Sequence, residues 1–131
     1  MISLLPNQVS SKITNEQAEQ SNSRSMPRKA IIPAALTSID PDGTIDFADF
    51  KRHISSLADI EGVSAIMVNG GSGHDRTLSR DERRKLLGAA LEAVDSRVPI
   101  IAALRESTSI SSLAPLAKDA QSEGAQAMTI M

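Results

Sequence analysis

The chain has 131 residues, of which 40% are hydrophobic and 23% charged, and its formal net charge is −2. This composition is typical of soluble globular proteins, and the balance of charges excludes the basic footprint of a nucleic-acid-binding protein. Cysteine, tyrosine and tryptophan are absent, which excludes thiol catalysis, a disulfide framework, Cys-ligated zinc and a tyrosine proton relay within this chain. No secretory or membrane-spanning segment is predicted, and a cysteine-free chain is compatible with the cytoplasm.

The first part of the chain, residues 1–29, is rich in Ser, Asn, Gln and Glu. It has no apolar period that could bury one face, so we predict a disordered leader. Met26 lies at the end of this leader, and translation that starts there is an open alternative to Met1. The ordered domain is predicted over residues 30–131.

Four short apolar runs predict four β-strands that are covered on both faces. These runs are residues 30–36, 63–69, 98–104 and 125–131. Amphipathic segments separate them, as in the strand–helix–strand units of a parallel sheet.

Local signals predict where three helices begin and end. Asp46 is an N-cap candidate ahead of apolar residues at helical spacing. Ser79 and Glu82 form a capping-box pattern ahead of a second such run. The third helix is predicted near residues 111–123, with Pro115 in its first turn and Gly124 as its C-terminal cap.

Two parallel architectures fit this order of elements. A doubly wound open sheet would carry a phosphate-binding fingerprint after its first strand, and residues 37–45 lack one. We therefore predict an α/β fold that is the first half, four strands and three helices, of a TIM (β/α)8 barrel. A complete barrel typically needs about 250 residues, so we expect unpaired strand edges.

Functional residues of parallel α/β folds lie in the loops after the strands. Residues 70–74, after the second predicted strand, read Gly-Gly-Ser-Gly-His. Glycines allow backbone N–H groups to approach an anion and Ser72 can donate its hydroxyl, so the loop could hold a carboxylate or a phosphate. The alternative is that the glycines only form a tight turn.

Six segments together resemble the dihydrodipicolinate synthase and N-acetylneuraminate lyase family, in its N-terminal half. They are IIPAALT (31–37), DGTID (42–46), GVSAIMVNG (62–70), LSRDER (78–83), RVPIIA (97–102) and GAQAM (124–128). The resemblance implies a pyruvate-dependent class I aldolase, in which a lysine forms a Schiff base with pyruvate or another small 2-oxo acid. The protonated imine withdraws electrons and stabilises the carbanion. No cofactor, metal, nucleic acid or membrane partner is implied.

The resemblance also assigns residues of the glycine loop. Ser72 keeps a hydroxyl where the family binds the substrate carboxylate, so we predict Ser72, Gly71 and Gly73 as substrate-binding residues. Gly71 replaces a threonine that the family uses in a proton relay with tyrosine, and His74 replaces a glutamate. In the third loop, Arg105 lies where the family usually has glycines.

No catalytic residue is assigned within this chain. The resemblance places the Schiff-base lysine and the tyrosines on later strands. The lysines present lie in the leader or on predicted helices, and they are Lys12, Lys29, Lys51, Lys85 and Lys118. We expect a fragment of such a lyase, inactive alone, that forms a homo-oligomer or needs a completing half-barrel. The alternative is a non-enzymatic half-barrel binding or scaffold protein that dimerises.

Overall fold

A computed structural model describes residues 30–105 and 109–131 of the chain. In chain order the elements are α1 (Phe47–Ala58), β1 (Ile66–Val68), α2 (Arg80–Val94), β2 (Ile100–Leu104), α3 (Leu113–Glu123) and β3 (Ala127–Ile130). Single 3-10 turns lie at Gly71–Gly73 and Ile110–Ser112. The predicted disordered leader lies outside the described residues.

The strands form one parallel sheet in the order β1-β2-β3. Ile66 of β1 is aligned with Ile100 of β2, and Ile101 of β2 is aligned with Ala127 of β3. Helix α2 packs against β1 and β2, while α1 and α3 pack on either side of α2. The predicted parallel α/β arrangement is confirmed.

The prediction of four strands is wrong by one, because residues 30–36 do not form a regular strand. This segment is extended beside β1 and is joined to it by parallel bridges at Ile31–Val63 and Ala34–Met67. The backbone carbonyl of Pro33 accepts a 2.9 Å hydrogen bond from Met67 N, but proline has no N–H to donate in return. The ladder is therefore interrupted at Pro33.

The predicted N-terminal caps of α1 and α2 are confirmed. Asp46 Oδ1 accepts a 2.9 Å hydrogen bond from Asp49 N at the start of α1. At the start of α2, Ser79 Oγ accepts from Glu82 N at 3.2 Å, and Ser79 N donates to Glu82 Oε2 at 2.7 Å. This reciprocal pair satisfies two N–H groups that the helix itself leaves without partners.

The third helix also has the predicted ends. Because α3 begins at Leu113, Pro115 lies in its first turn, where its missing N–H breaks no helical hydrogen bond. Gly124 follows the last helical residue with φ 102°, the left-handed conformation that glycine adopts without steric cost.

The hydrophobic core lies between the helices and the sheet. Its largest fully buried side chains include Phe50 and Ile54 of α1, Leu86 of α2, and Ile66 and Ile100 of the sheet. These residues belong to one contiguous cluster, which holds α1 and α2 against the strands. Truncation of such a side chain to alanine typically costs about 2–5 kcal/mol.

The outer strands are more exposed than predicted. Residues 125–131 were expected to be covered on both faces, but Ile130 of β3 is 70% exposed. On the opposite side of the sheet, Ile31 is 57% exposed. The reason is that, within the described residues, β3 pairs with β2 alone and the segment at Ile31 pairs with β1 alone.

None of the described helices is long and apolar enough to span a membrane.

Candidate substrate-binding site

The glycine loop forms a compact turn directly after β1. Gly70 O accepts hydrogen bonds from Gly73 N at 2.9 Å and from Asp75 N at 3.3 Å. The turn is bounded by Asn69 and His74, both at φ 61°. This left-handed conformation is uncommon outside glycine, but asparagine and histidine are enriched in it. Residues 69–74 therefore reverse the chain within a few residues of the strand end.

The turn exposes one side to solvent and packs its other side against the protein. Gly71, Ser72 and His74 are exposed, whereas Gly73 is buried. A Cβ atom added to Gly71 would meet nothing within 4 Å. The Ser72 hydroxyl is thus accessible to a ligand, and the space beside Gly71 is open.

Gly73 is held by the first loop, residues 37–45, and by the extended segment that precedes it. Thr37 Oγ1 donates a buried 2.7 Å hydrogen bond to Gly73 O. A Cβ atom on Gly73 would lie 3.2 Å from Thr37 Oγ1 and 3.3 Å from Ala35 O. Glycine at this position lets two backbone segments approach closely, which joins the first loop to the second.

Arg83 of α2 also holds the second loop, residues 70–78, in place. Its guanidinium donates to the backbone carbonyls of Leu78 (3.4 Å) and Asp75, within the loop, and to that of Arg105 (3.3 Å), at the end of β2. Asn69 Nδ2 donates in turn to Arg83 O at 3.0 Å. The Arg83 side chain thus connects the second loop to the start of the third loop at Arg105.

An ion pair joins the same two loops. Asp75 Oδ2 lies against Arg105 Nε, and the Asp75 side chain is 3% exposed against 32% for Arg105. The contact is an ion pair without the angle of a hydrogen bond. Asp75 is therefore a nearly buried carboxylate whose charge is compensated by Arg105, an arrangement that is costly to break from one side.

The sequence analysis did not predict the contacts that join the loops. No local signal marks Asp75 or Arg83 as site residues, and none marks the hydrogen bond between Thr37 and Gly73, because these contacts bridge separate loops. The role of His53 was likewise not predicted: it is half-buried on α1, and its Nε2 accepts a 3.2 Å hydrogen bond from Leu36 N. That bond joins α1 to the extended segment beside β1.

The described lysines lie on the helices, away from the glycine turn. Lys51 and Lys85 form 2.7 Å ion pairs with Glu92 and Asp81. The hydrogen bond from Lys85 to Asp81 raises the pKa of the Lys85 ammonium above its ordinary value. Lys118 is exposed on α3. A protonated amine is a poor nucleophile, so Lys85 is unsuited to imine formation.

A parallel sheet flanked by helices, with its glycine turn directly after a strand, defines a parallel α/β protein. The Dihydrodipicolinate synthetase family matches this chain over residues 27–131, and the chain belongs to that family.

Relatives with established names agree with this assignment. The chain is 46% identical over 74 residues to 4-hydroxy-tetrahydrodipicolinate synthase of Salinibacter ruber, a match that covers 56% of this chain and 24% of the relative. It is 34% identical over 105 residues to the enzyme of the same name from Ruthia magnifica, covering 80% of this chain and 35% of the relative. The chain thus spans well under half of the length of these relatives.

Solved structures of dihydrodipicolinate synthases have a fold similar to that of this chain. Dihydrodipicolinate synthase from Bacillus anthracis matches with a TM-score of 0.70 and 33% identity, over 80% of this chain and 36% of that one. Dihydrodipicolinate synthase from Bacillus clausii matches with a TM-score of 0.71 and 25% identity, over 78% and 34%. The described fold is therefore similar to part of these proteins.

Proposed function

We propose that this chain binds the carboxylate of a small 2-oxo acid, such as pyruvate, at the turn that contains Gly71, Ser72 and Gly73. The observation that carries the proposal is the exposed Ser72 hydroxyl in a turn whose position is fixed from two sides, by Thr37 and by Arg83. A fixed donor loses little conformational freedom when an anion binds. In the family's chemistry this site would orient the 2-oxo acid for imine formation.

We further propose that the chain does not form the Schiff base by itself. The ion-paired lysines of α1 and α2 point to structural roles, and Gly71 supplies no hydroxyl for a proton relay. A lyase or aldolase reaction would need the lysine and the tyrosines that the family carries on later strands. A completing half-barrel of different sequence would supply them, because copies of this chain contain no tyrosine. We expect this assembly in the cytoplasm.

Calorimetry tests the binding step. Pyruvate should bind the 131-residue chain, and Ser72→Ala should weaken binding by about tenfold, since a hydrogen bond to a charged group contributes about 1.5–3 kcal/mol when it is well formed. Ser56→Ala is the matched control, because Ser56 is exposed on α1 and its Oγ donates to Arg52 O of the same helix at 2.9 Å. Equal affinities for Ser72→Ala and wild type would refute the proposal.

Borohydride reduction tests the chemical step. Treatment of the chain with pyruvate and borohydride should leave its intact mass unchanged, because no imine is present to be reduced to a stable amine. A mass increase equal to one reduced pyruvate adduct would show that an amine of this chain is the nucleophile. Peptide mapping would then distinguish a lysine from the α-amino group, which also reacts with 2-oxo acids.

A second candidate function is a non-enzymatic half-barrel that assembles by pairing its outer strands. The exposure of Ile31, Leu36 and Ile130 along the two outer edges of the sheet favours it. Parallel strands with unpaired N–H and C=O groups are templates for another strand. Light scattering should give a defined dimer with this role, whereas a monomer or a heterogeneous aggregate would argue against it.

A further inference from the structure

A pocket adjoins the glycine turn at the same edge of the sheet. Its volume is about 440 Å³, and it is lined by Gly71, His74, Asp75, Arg76, Thr77 and Arg105. Gly71 belongs both to this lining and to the proposed carboxylate-binding turn. A Cβ atom built on Gly71 would meet no atom within 4 Å beyond its two chain neighbours, so no side chain crowds the surface between the turn and the pocket at this position.

The charges of the pocket favour an anionic ligand. Among the described lining residues, Arg76 and Arg105 are positive and Asp75 alone is negative. Asp75 is nearly buried and paired with Arg105 Nε, so its charge is compensated inside the protein and not presented to solvent. Arg76 is exposed. One positive charge in excess therefore faces a concave surface, where attraction for an anion is stronger than on a flat one.

The position of Arg105 is itself determined by its neighbours. Its Nε contacts Asp75, and its backbone carbonyl accepts a 3.3 Å hydrogen bond from Arg83 Nη1. A guanidinium that is held by a carboxylate at one edge presents its charge in a fixed direction. Planar guanidinium groups suit the two oxygens of a carboxylate, which they can bind through paired N–H donors.

We propose that this pocket binds a second anionic group on the ligand whose first carboxylate lies at Ser72, so that the preferred ligand is a dicarboxylic 2-oxo acid. The inference rests on the proposed function, because it takes the Ser72 turn as the site of the first carboxylate. The open space at Gly71 is the path by which one ligand reaches both positions. Arg76 and Arg105 are then the residues that determine specificity for the second charge.

The test compares two probes on the 131-residue chain by calorimetry, pyruvate and 2-oxoglutarate. The dicarboxylate should bind about tenfold more tightly than pyruvate in low salt, and this preference should shrink as sodium chloride is added, because salt screens exposed charges. Arg76→Gln should reduce the preference to about twofold or less. Arg52→Gln is the matched control, since Arg52 is an exposed arginine of α1 paired with Asp49 at 2.7 Å.

Each result distinguishes the inference from the proposed function. Pyruvate binding without a preference for 2-oxoglutarate, or a preference that survives Arg76→Gln, overturns the inference and leaves the Ser72 site intact. Binding of 2-oxoglutarate alone, lost in Arg76→Gln, supports the inference and removes pyruvate as the ligand of Ser72. The absence of binding by both probes overturns both proposals.

Discussion

The close packing of Gly73 against the first loop leads to a quantitative prediction for Gly73→Ala. The new methyl group would lie 3.2 Å from Thr37 Oγ1 and 3.3 Å from the backbone oxygen of Ala35. Thr37 cannot move away without lengthening its 2.7 Å hydrogen bond to Gly73 O, which is buried. Overpacking of this kind costs about 1–3 kcal/mol, and a weakened buried hydrogen bond adds about 1 kcal/mol.

Gly71→Ala is the matched control two residues away. Its methyl group would meet nothing within 4 Å, and Gly71 does not have a positive φ. The substitution should therefore be neutral or should stabilise the protein by up to about 1 kcal/mol, because alanine reduces the freedom of the unfolded chain.

Thermal unfolding followed by circular dichroism measures the difference. For a domain of this size, 1 kcal/mol corresponds to about 4–8 °C in Tm, so Gly73→Ala should unfold at least about 4 °C below Gly71→Ala. Equal midpoints for the two variants would refute the reasoning, since they would mean that Thr37 and Ala35 yield to a methyl group at no cost.

Three further substitutions test other parts of the structure. Ser79→Ala should lower the free energy of unfolding in urea by about 1 kcal/mol, because it removes the side-chain cap of α2; an unchanged urea midpoint would contradict this. Arg105→Gln should cost about 3–5 kcal/mol in the same assay, since it leaves the nearly buried carboxylate of Asp75 uncompensated, whereas a loss below 1 kcal/mol would show that other groups stabilise that charge. The hydrogen bond from Arg80 lowers the pKa of Asp119 below 3.8, so the ion pair stabilises the protein above pH 3.8 and this stabilisation is lost as the pH falls through the lower pKa of the folded state. In Asp119→Asn the urea midpoint should therefore depend less on pH in this acidic range. Identical pH profiles for the variant and the wild type would argue against the ion pair.

Features set by neighbouring residues could be predicted from the sequence. Ser79 and Glu82 of the capping box are three positions apart, and the glycine cap at Gly124 depends on local backbone conformation alone. The position of the glycine loop follows from topology, since the loops after parallel strands lie at one edge of the sheet. The two caps were predicted correctly because each depends on a short stretch of chain.

Contacts between distant residues could not be predicted in the same way. Arg83 contacts the backbone of Arg105, 22 residues away, and Thr37 contacts Gly73, 36 residues away. Nothing in the spacing of charges or hydroxyls specifies these pairs. The interrupted first strand is different, because Pro33 was visible in the sequence and its missing N–H explains the interruption.

The central claim is that a 2-oxo acid carboxylate binds at the turn after β1. The most direct measurement is a titration of the 15N-labelled chain with pyruvate, followed by amide chemical shifts. The account predicts saturable shifts at Gly71, Ser72 and Gly73, with Gly88 on α2 unchanged as an internal reference. Shifts that cluster around the lysines of α1 and α2, or no saturable shift at Gly71–Gly73, would contradict it.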